Sequence, residues 1–235
     1  MKLCILAGGF GTRLQGVVSD VPKALAPICG VPFLRLQIEQ WLKQGVRSFV
    51  FLLHHRAAFI VDFLKKEQRD LLFGCEVRWL VEPLPLGTGG AIAYAVKELK
   101  IAGDILVTNA DTWLEMGITK IMSANSPALA VVGVGDIARY GTVEFDEKNV
   151  VISFKEKEGK PRPGWINAGL GLLDSRLFHD WDGQAFSLES KSYPLLASRK
   201  LLTAVEINGD FIDIGIPQDY FRFCSWIEAG KVNSL

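Results

Sequence analysis

Apolar residues fall along this chain in short runs separated by amphipathic stretches. Lys2–Leu6, Ser48–Leu53, Glu76–Val81, Asp104–Thr108 and Ala128–Val134 are nearly continuous hydrophobic runs of strand length. Between them, near Phe33–Gln44, Ala57–Arg69, Gly90–Leu99 and Gly117–Ala124, the apolar positions recur at helical spacing. Strands without polar alternation are buried on both faces, so this alternation predicts a parallel sheet with helical crossovers. After Gly135 the texture changes. Gly141–Phe145, Val150–Glu156 and Ile166–Asp174 read as short strands joined by turns, a mixed insertion over the ligand edge of the sheet. Ser187–Ser198 then reads as helix, and Leu202–Ile207 and Phe211–Ile214 as strands. Pro217 suits the first position of a last helix reaching to about Ala229. No repeat, low-complexity tract or linker interrupts the pattern, so one domain over residues 1–235 is expected.

Composition narrows the class. With Lys plus Arg and Asp plus Glu equal at 26 each, no global field favours nucleic acid or a membrane surface, and any anion site must be local. No run approaches the roughly 18 unbroken apolar residues of a membrane span. The N-terminus enters a strand pattern at once, so no signal peptide is expected. Cys4, Cys29, Cys75 and Cys224 show no Cys-x-x-Cys spacing, which reads as reduced thiols in a cytoplasmic chain. His54-His55 follow an apolar run. Neighbours on a strand point to opposite faces, so a strand end fits them better than a metal site.

The richest segment is Leu6-Ala7-Gly8-Gly9-Phe10-Gly11-Thr12-Arg13, followed by Pro22-Lys23. A buried strand ending in a glycine turn presents backbone N–H groups at its carboxyl end, where open α/β sheets bind ligands. Glycine lets backbone press against phosphate oxygens without a Cβ in the way. Two cations beside such a turn suit a polyphosphate whose charge shifts during reaction. The segment is not a P-loop, which ends in Gly-Lys-Ser/Thr. It is not the dinucleotide signature either, because Leu14 stands where the final glycine belongs and the stretch from Gly16 to Pro22 reads as loop. That weakens a nicotinamide oxidoreductase.

Two aspartates also stand at strand ends: Asp111 after Ile105-Leu106-Val107, and Asp213 in Phe-Ile-Asp-Ile-Gly-Ile-Pro. Either alone fits a turn or helix-start residue. Strand ends converge on one edge of a parallel sheet, however. Two carboxylates there suit Mg²⁺, which fills its shell with water and substrate phosphate.

These stretches resemble the motifs of the nucleotide-sugar pyrophosphorylases, the nucleotidyltransferases acting on sugar 1-phosphates. The match runs from Leu6 to Leu14, resumes at Pro22-Lys23, and continues through Leu86-Gly87-Thr88-Gly89-Gly90-Ala91, Tyr140-Gly141-Thr142-Val143, Glu156-Lys157, Asn167-Ala168-Gly169 and Asp213-Ile214-Gly215. Ala110-Asp111 replaces the family's frequent Gly-Asp, a mild departure. The resemblance implies a Rossmann-like α/β fold with a mostly parallel sheet flanked by helices and a mixed-strand sugar-binding insertion. It implies catalytic roles for Arg13, Lys23 and Asp111, and a Mg²⁺ held by Asp111 and Asp213. Nucleotide contacts fall to Leu6, Ala7, Gly8, Gly9, Gly11, Thr12, Glu82, Gly87 and Thr88. Sugar-phosphate contacts fall to Gly141, Glu156, Lys157, Asn167 and Gly169. Gly87 would let backbone reach the base edge, and a helix starting near Gly90 would offer N–H groups to the ligand.

Glu82 occupies the family's base-reading position. An ionised carboxylate only accepts hydrogen bonds. Guanine offers adjacent N1–H and N2–H donors, whereas uracil and thymine set a carbonyl on each side of N3–H, so glutamate points to GTP. The resemblance is strongest to small guanylyltransferases acting on D-glycero-α-D-manno-heptose 1-phosphate, whose GDP-heptose product would feed a bacterial surface glycan. Mannose 1-phosphate or another hexose phosphate, with GTP, UTP or dTTP, stays open, as does a non-catalytic sensor of nucleotide sugars. A homo-oligomer is compatible with the sequence. Trp165 reads equally as core or lid.

Overall fold

A computed structural model describes residues 1–157 and 159–232. They form two compact units. The first comprises Lys2–Pro83, Thr108–Glu115 and the chain from Asp210 on; the second comprises Leu84–Val107 and Met116–Gly209, with Met1.

The first unit is built on strands Lys2–Leu6, Ser48–Leu53 and Glu76–Val81. They pair in parallel, Leu3 opposite Phe49 and Leu52 opposite Leu80. Leu3, Cys4, Ile5, Phe49, Phe51 and Leu53 are fully buried, which is why the first two strands show no polar alternation, whereas Glu76–Val81 exposes Glu76 and Arg78. Helices Phe33–Lys43 and Ala57–Glu67 connect them, close to the bounds read from periodicity.

A second apolar cluster in this unit gathers Leu14, Ile28, Phe33, Trp113, Ile214 and Phe223. Phe223 belongs to the last helix, Pro217–Glu228, and its ring meets Phe33 edge-on at 5.3 Å. The segments on either side of the chemistry-bearing loops are thereby packed into one core. The sequence pattern missed a three-residue strand, Thr112–Leu114, which pairs antiparallel with Phe211–Asp213.

The second unit carries the mixed pairing expected after Gly135. Gly164–Asp174 runs antiparallel to Ala128–Val134, and Thr142–Phe145 antiparallel to Val151–Lys155. Ala128–Val134 was expected among the parallel strands. It has one antiparallel neighbour in Gly164–Asp174 and one parallel neighbour in Thr203–Glu206. Helix Gly87–Glu98 starts three residues before the expected Gly90. The stretch expected as helix from Ser187 opens with a π turn, Leu188–Ser192, before the α-helix Tyr193–Ser198. Pro194 has no N–H to donate there, which breaks the regular ladder. No helix among the described residues is long and apolar enough to cross a membrane.

Candidate active site

In the first unit the Thr112–Leu114 and Phe211–Asp213 strands bring the two aspartates together. Thr112 stands opposite Asp213, and the Ile214 N–H donates to the Asp111 carbonyl at 3.0 Å. Buried Gln37, on helix Phe33–Lys43, pins the loop from behind. Its amide donates to the carbonyls of Asn109 (3.1 Å) and Thr112 (2.8 Å), which bracket Asp111.

Lys23 enters on a 3₁₀ turn, Lys23–Leu25, behind the extended Pro22. Its ammonium lies 2.6 Å from Asp111 Oδ2 and 3.5 Å from Asp213 Oδ1. Arg13 comes from the turn Thr12–Leu14, which follows the left-handed Gly11. Gly215 shows how tightly these groups converge. A Cβ built there would lie 2.6 Å from Asp213 Oδ1, 2.8 Å from Lys23 Nζ and 3.3 Å from Arg13 Nη2. Arg13, Lys23, Asp111 and Asp213 therefore meet in one place, from segments up to two hundred residues apart in the chain.

The electrostatics of the pair are asymmetric. Burial pushes the Asp111 carboxyl up, but the Lys23 ammonium bonded to it and the Thr112 hydroxyl (3.1 Å) outweigh burial and hold its pKa below the usual carboxylate value. For Asp213, burial and the neighbouring Asp111 charge prevail over Lys23 and the Gly215 N–H, and its pKa is raised. Lys23 and the neighbouring Arg13 both offset negative charge at the pair, yet burial and the Asp111 charge still raise Asp213. Two partly buried carboxylates side by side are a fitting donor set for a divalent cation that keeps water and phosphate as its other ligands. No group of three or more His, Cys, Asp or Glu side chains that could hold a metal ion occurs among the described residues, and His54-His55 directly follow the strand Ser48–Leu53.

The glycine turn borders a buried acceptor. A Cβ on Gly8 would meet the His54 Cβ at 3.1 Å and Glu82 Oε1 at 3.2 Å. Glu82 is 7% exposed, and its backbone N–H donates to the Leu53 carbonyl at 2.7 Å. Its carbonyl lies 3.1 Å from His54 Nδ1. A carbonyl only accepts, so Nδ1 carries the proton in that contact. Leu6 and Ala7 end the strand, Ala7 donating to the Leu52 carbonyl at 2.9 Å. Gly9 has open space where a Cβ would stand, and Thr12 is exposed.

The second unit holds the remaining candidates. Gly87, with φ +71°, packs on Phe186, whose carbonyl would lie 2.6 Å from an added Cβ. A Cβ on Gly89 would stand 2.1 Å from the Phe186 ring. The Gly89 and Gly90 N–H groups, expected to face a ligand, donate to the Phe186 carbonyl at 3.0 and 3.2 Å. Thr88 donates to Glu189 at 2.6 Å and accepts from the Leu188 N–H at 2.8 Å. Two N–H groups of the helix's first turn, those of Gly89 and Gly90, are therefore taken by the Phe186 carbonyl. Phe186 was missed because its partners lie about a hundred residues away.

Among the residues expected to hold the sugar phosphate, the Asn167 N–H donates to the Gly141 carbonyl at 2.9 Å. The Asn167 side chain accepts from the Gly169 N–H at 2.8 Å, where Gly169 takes the left-handed φ of 71°. Glu156 and Lys157 are exposed at the end of strand Val151–Lys155. Trp165 is half-buried, its ring 5.4 Å from Phe145 and lying against Gly133. The sequence signal for Gly215, also missed as a site residue, was the Asp-x-Gly spacing itself.

Residues 2–234 match the sequence model of the family described as Nucleotidyl transferase. The chain is 36% identical over 228 residues to D-glycero-alpha-D-manno-heptose 1-phosphate guanylyltransferase of Campylobacter jejuni, covering 95% of this chain and 98% of that protein. It is 30% identical over 228 residues to mannose-1-phosphate guanyltransferase 2 of Candida glabrata, where the match covers 94% of this chain and 63% of the relative. Among solved structures, HddC from Yersinia pseudotuberculosis is similar at a TM-score of 0.83 and 36% identity, covering 96% of this chain and 99% of that one. HddC complexed with GMP-PN gives 0.80. The fold is α/β, with a mostly parallel, mixed central sheet flanked by helices.

Proposed function

Because the chain belongs to the nucleotidyl transferase family, we propose that it joins a sugar 1-phosphate to GTP and releases pyrophosphate, with D-glycero-α-D-manno-heptose 1-phosphate as the sugar substrate. The observation that carries this reading is the convergence of Arg13, Lys23, Asp111 and Asp213 around Gly215. Two cations and two carboxylates brought together from distant segments are what the transfer of a nucleotidyl group between polyanions requires. The heptose assignment draws on the 36% identity to the Campylobacter jejuni enzyme over nearly both full lengths. The guanine assignment draws on Glu82, an acceptor-only group buried against the glycine turn, and on the GMP-PN complex of HddC.

In the reaction an oxygen of the sugar 1-phosphate attacks the α-phosphorus of GTP. The bond from that phosphorus to the bridging oxygen breaks, and pyrophosphate leaves with the electron pair. The attacking phosphate is already an anion, so no side chain need remove a proton. Arg13 holds the departing pyrophosphate by its planar fork of donors. Lys23, 11% exposed at its side chain, exchanges its aspartate contacts for α-phosphate oxygens as charge builds there. The Gly8–Thr12 turn gives backbone N–H groups to the phosphates. Asp111 and Asp213 would hold a Mg²⁺, which when bound neutralises phosphate charge and orients the reacting oxygens. Asn167 and Glu156 are the second unit's hydroxyl-binding candidates, and Lys157 its candidate for the 1-phosphate. The whole chain acts as one catalytic domain in the cytoplasm.

The test is pyrophosphate release by the purified protein with Mg²⁺, in a panel of GTP, UTP and dTTP against the heptose 1-phosphate and mannose 1-phosphate. Fastest release from GTP with the heptose phosphate supports the reading. A faster rate with mannose 1-phosphate would shift the sugar, and no release from any pair would make the chain a sensor.

A further inference from the structure

We propose that Cys29 and Cys224 form a paired redox site, which a peroxide closes to an intramolecular disulfide. Cys29 sits at the tip of a small hairpin, Pro27–Ile28 with Val31–Pro32. Cys29 and Gly30 both take positive φ, 48° and 86°, as the tightest two-residue hairpin turn demands. That turn leaves the Cys29 side chain exposed. Its Sγ lies 3.7 Å from the Cys224 carbonyl and 3.8 Å from Glu228 Oε1, one turn further along the last helix.

The contact is built into the fold. Cys224 and Val31 both pack on the cluster that contains Ile28, Tyr220 and Phe223. The Tyr220 hydroxyl donates to the Pro27 carbonyl at 2.5 Å, which holds the hairpin on the helix. The two thiols are thereby fixed on facing elements. The Cys29 thiol is held above its ordinary pKa by local desolvation and by the Cys224 side chain and Glu228 carboxylate beside it. Because the thiolate is the reactive form, oxidation is slow at neutral pH and faster in alkali. The other two cysteines supply an internal control: Cys4 is fully buried, and Cys75 lies in the turn before strand Glu76–Val81.

The chemistry needs one equivalent of hydrogen peroxide. The Cys29 thiolate attacks a peroxide oxygen, the O–O bond breaks, and a sulfenic acid and water result. The Cys224 sulfur then attacks the sulfenic sulfur, expelling the oxygen as a second water and forming the S–S bond. Two thiols are oxidised, one peroxide is reduced, and both thiol protons end in water. The new bond straps the hairpin that follows the Lys23 turn to the helix that follows Asp213. It closes a loop of 195 residues, so on the chain-entropy argument it raises the melting temperature by on the order of 10–20 °C.

The experiment treats the full chain with hydrogen peroxide and follows intact mass, free thiols, a non-reducing peptide map and the melting curve. The expected result is loss of two hydrogens with no oxygen gained, a fall from four free thiols to two, and a Cys29 peptide linked to the Cys224 peptide. The melting temperature rises, and dithiothreitol reverses every change. Cys29→Ser and Cys224→Ser each lose the link and the rise. Oxygen added to Cys29 without a link would overturn the proposal. So would a link between the Cys29 residues of two chains, or four thiols surviving an excess of peroxide.

Discussion

Substituting alanine at Gly215 probes the charge cluster without deleting any of its members. The added methyl would stand 2.6 Å from Asp213 Oδ1, 2.8 Å from Lys23 Nζ and 3.3 Å from Arg13 Nη2. Carbon reaches its best contact at about 3.5 Å or more, so the carboxylate and ammonium must each withdraw by roughly 0.7–0.9 Å. Displacements near one ångström in a reacting constellation cost on the order of 10²-fold in rate, or ~2.7 kcal/mol of transition-state stabilisation. Folding should be nearly untouched. Gly215 is not among the positive-φ residues, so an alanine accepts its backbone, and the colliding atoms are ends of side chains. Loss of glycine from the unfolded chain offsets part of the strain by up to about 1 kcal/mol. The assay is pyrophosphate release with both substrates saturating, alongside a thermal melt. A hundredfold fall in kcat with a melting temperature within a few degrees of the parent is expected. Turnover within twofold of the parent would show that the groups around Gly215 are not the reacting constellation.

Four further outcomes follow from named contacts. Lys23→Ala should lower kcat by about 10²-fold or more while changing the KM for GTP far less, and near-normal turnover would remove Lys23 from the mechanism. Glu82→Gln should cut the preference for GTP over UTP by about 10- to 100-fold, the worth of a charged hydrogen bond, and an unchanged ratio would show that Glu82 does not read the base. Gly89→Ala would set a methyl 2.1 Å from the Phe186 ring and should lower the melting temperature by about 3–10 °C, with the Gly89→Ala/Phe186→Ala double variant recovering part of that loss; a parent-like melt would show that the ring is not held there. Burial pushes the Cys4 thiol up to about 12, so the folded chain keeps a proton that the unfolded chain releases above about pH 8.5. Stability should therefore fall by ~1.4 kcal/mol per pH unit between those values, and denaturant melts of the parent and Cys4→Ala should diverge in that window, whereas parallel pH profiles would contradict the burial argument.

Legibility from sequence followed the range of the interactions. Lys2–Leu6 and Ser48–Leu53 were readable to the residue because both faces of each strand are buried, leaving an unbroken apolar run with polar punctuation, and Glu76–Val81, a partly exposed edge strand, was readable from its apolar Trp79-Leu80-Val81 end. The last helix was readable because Pro217 marks its first turn. The Thr112–Leu114 strand, which places Asp111 beside Asp213, is too short to show a period, and its pairing partner lies about a hundred residues away. The aspartates could be nominated by strand-end position, yet the ladder that joins them could not. The same limit applies at Gly87, which read as letting backbone reach a base edge and against which Phe186, from a remote loop, packs. Glycine reports that something approaches closely, and only the fold says what.

A crystal of the protein with Mn²⁺ and a non-hydrolysable GTP analogue tests the central claim most directly, because manganese is located by its anomalous signal. The expected density is a metal peak bound by Asp111 and Asp213, phosphate oxygens on Arg13 and Lys23, and the guanine N1–H and N2–H on Glu82. A metal bound elsewhere, or phosphates out of reach of Arg13 and Lys23, would contradict it.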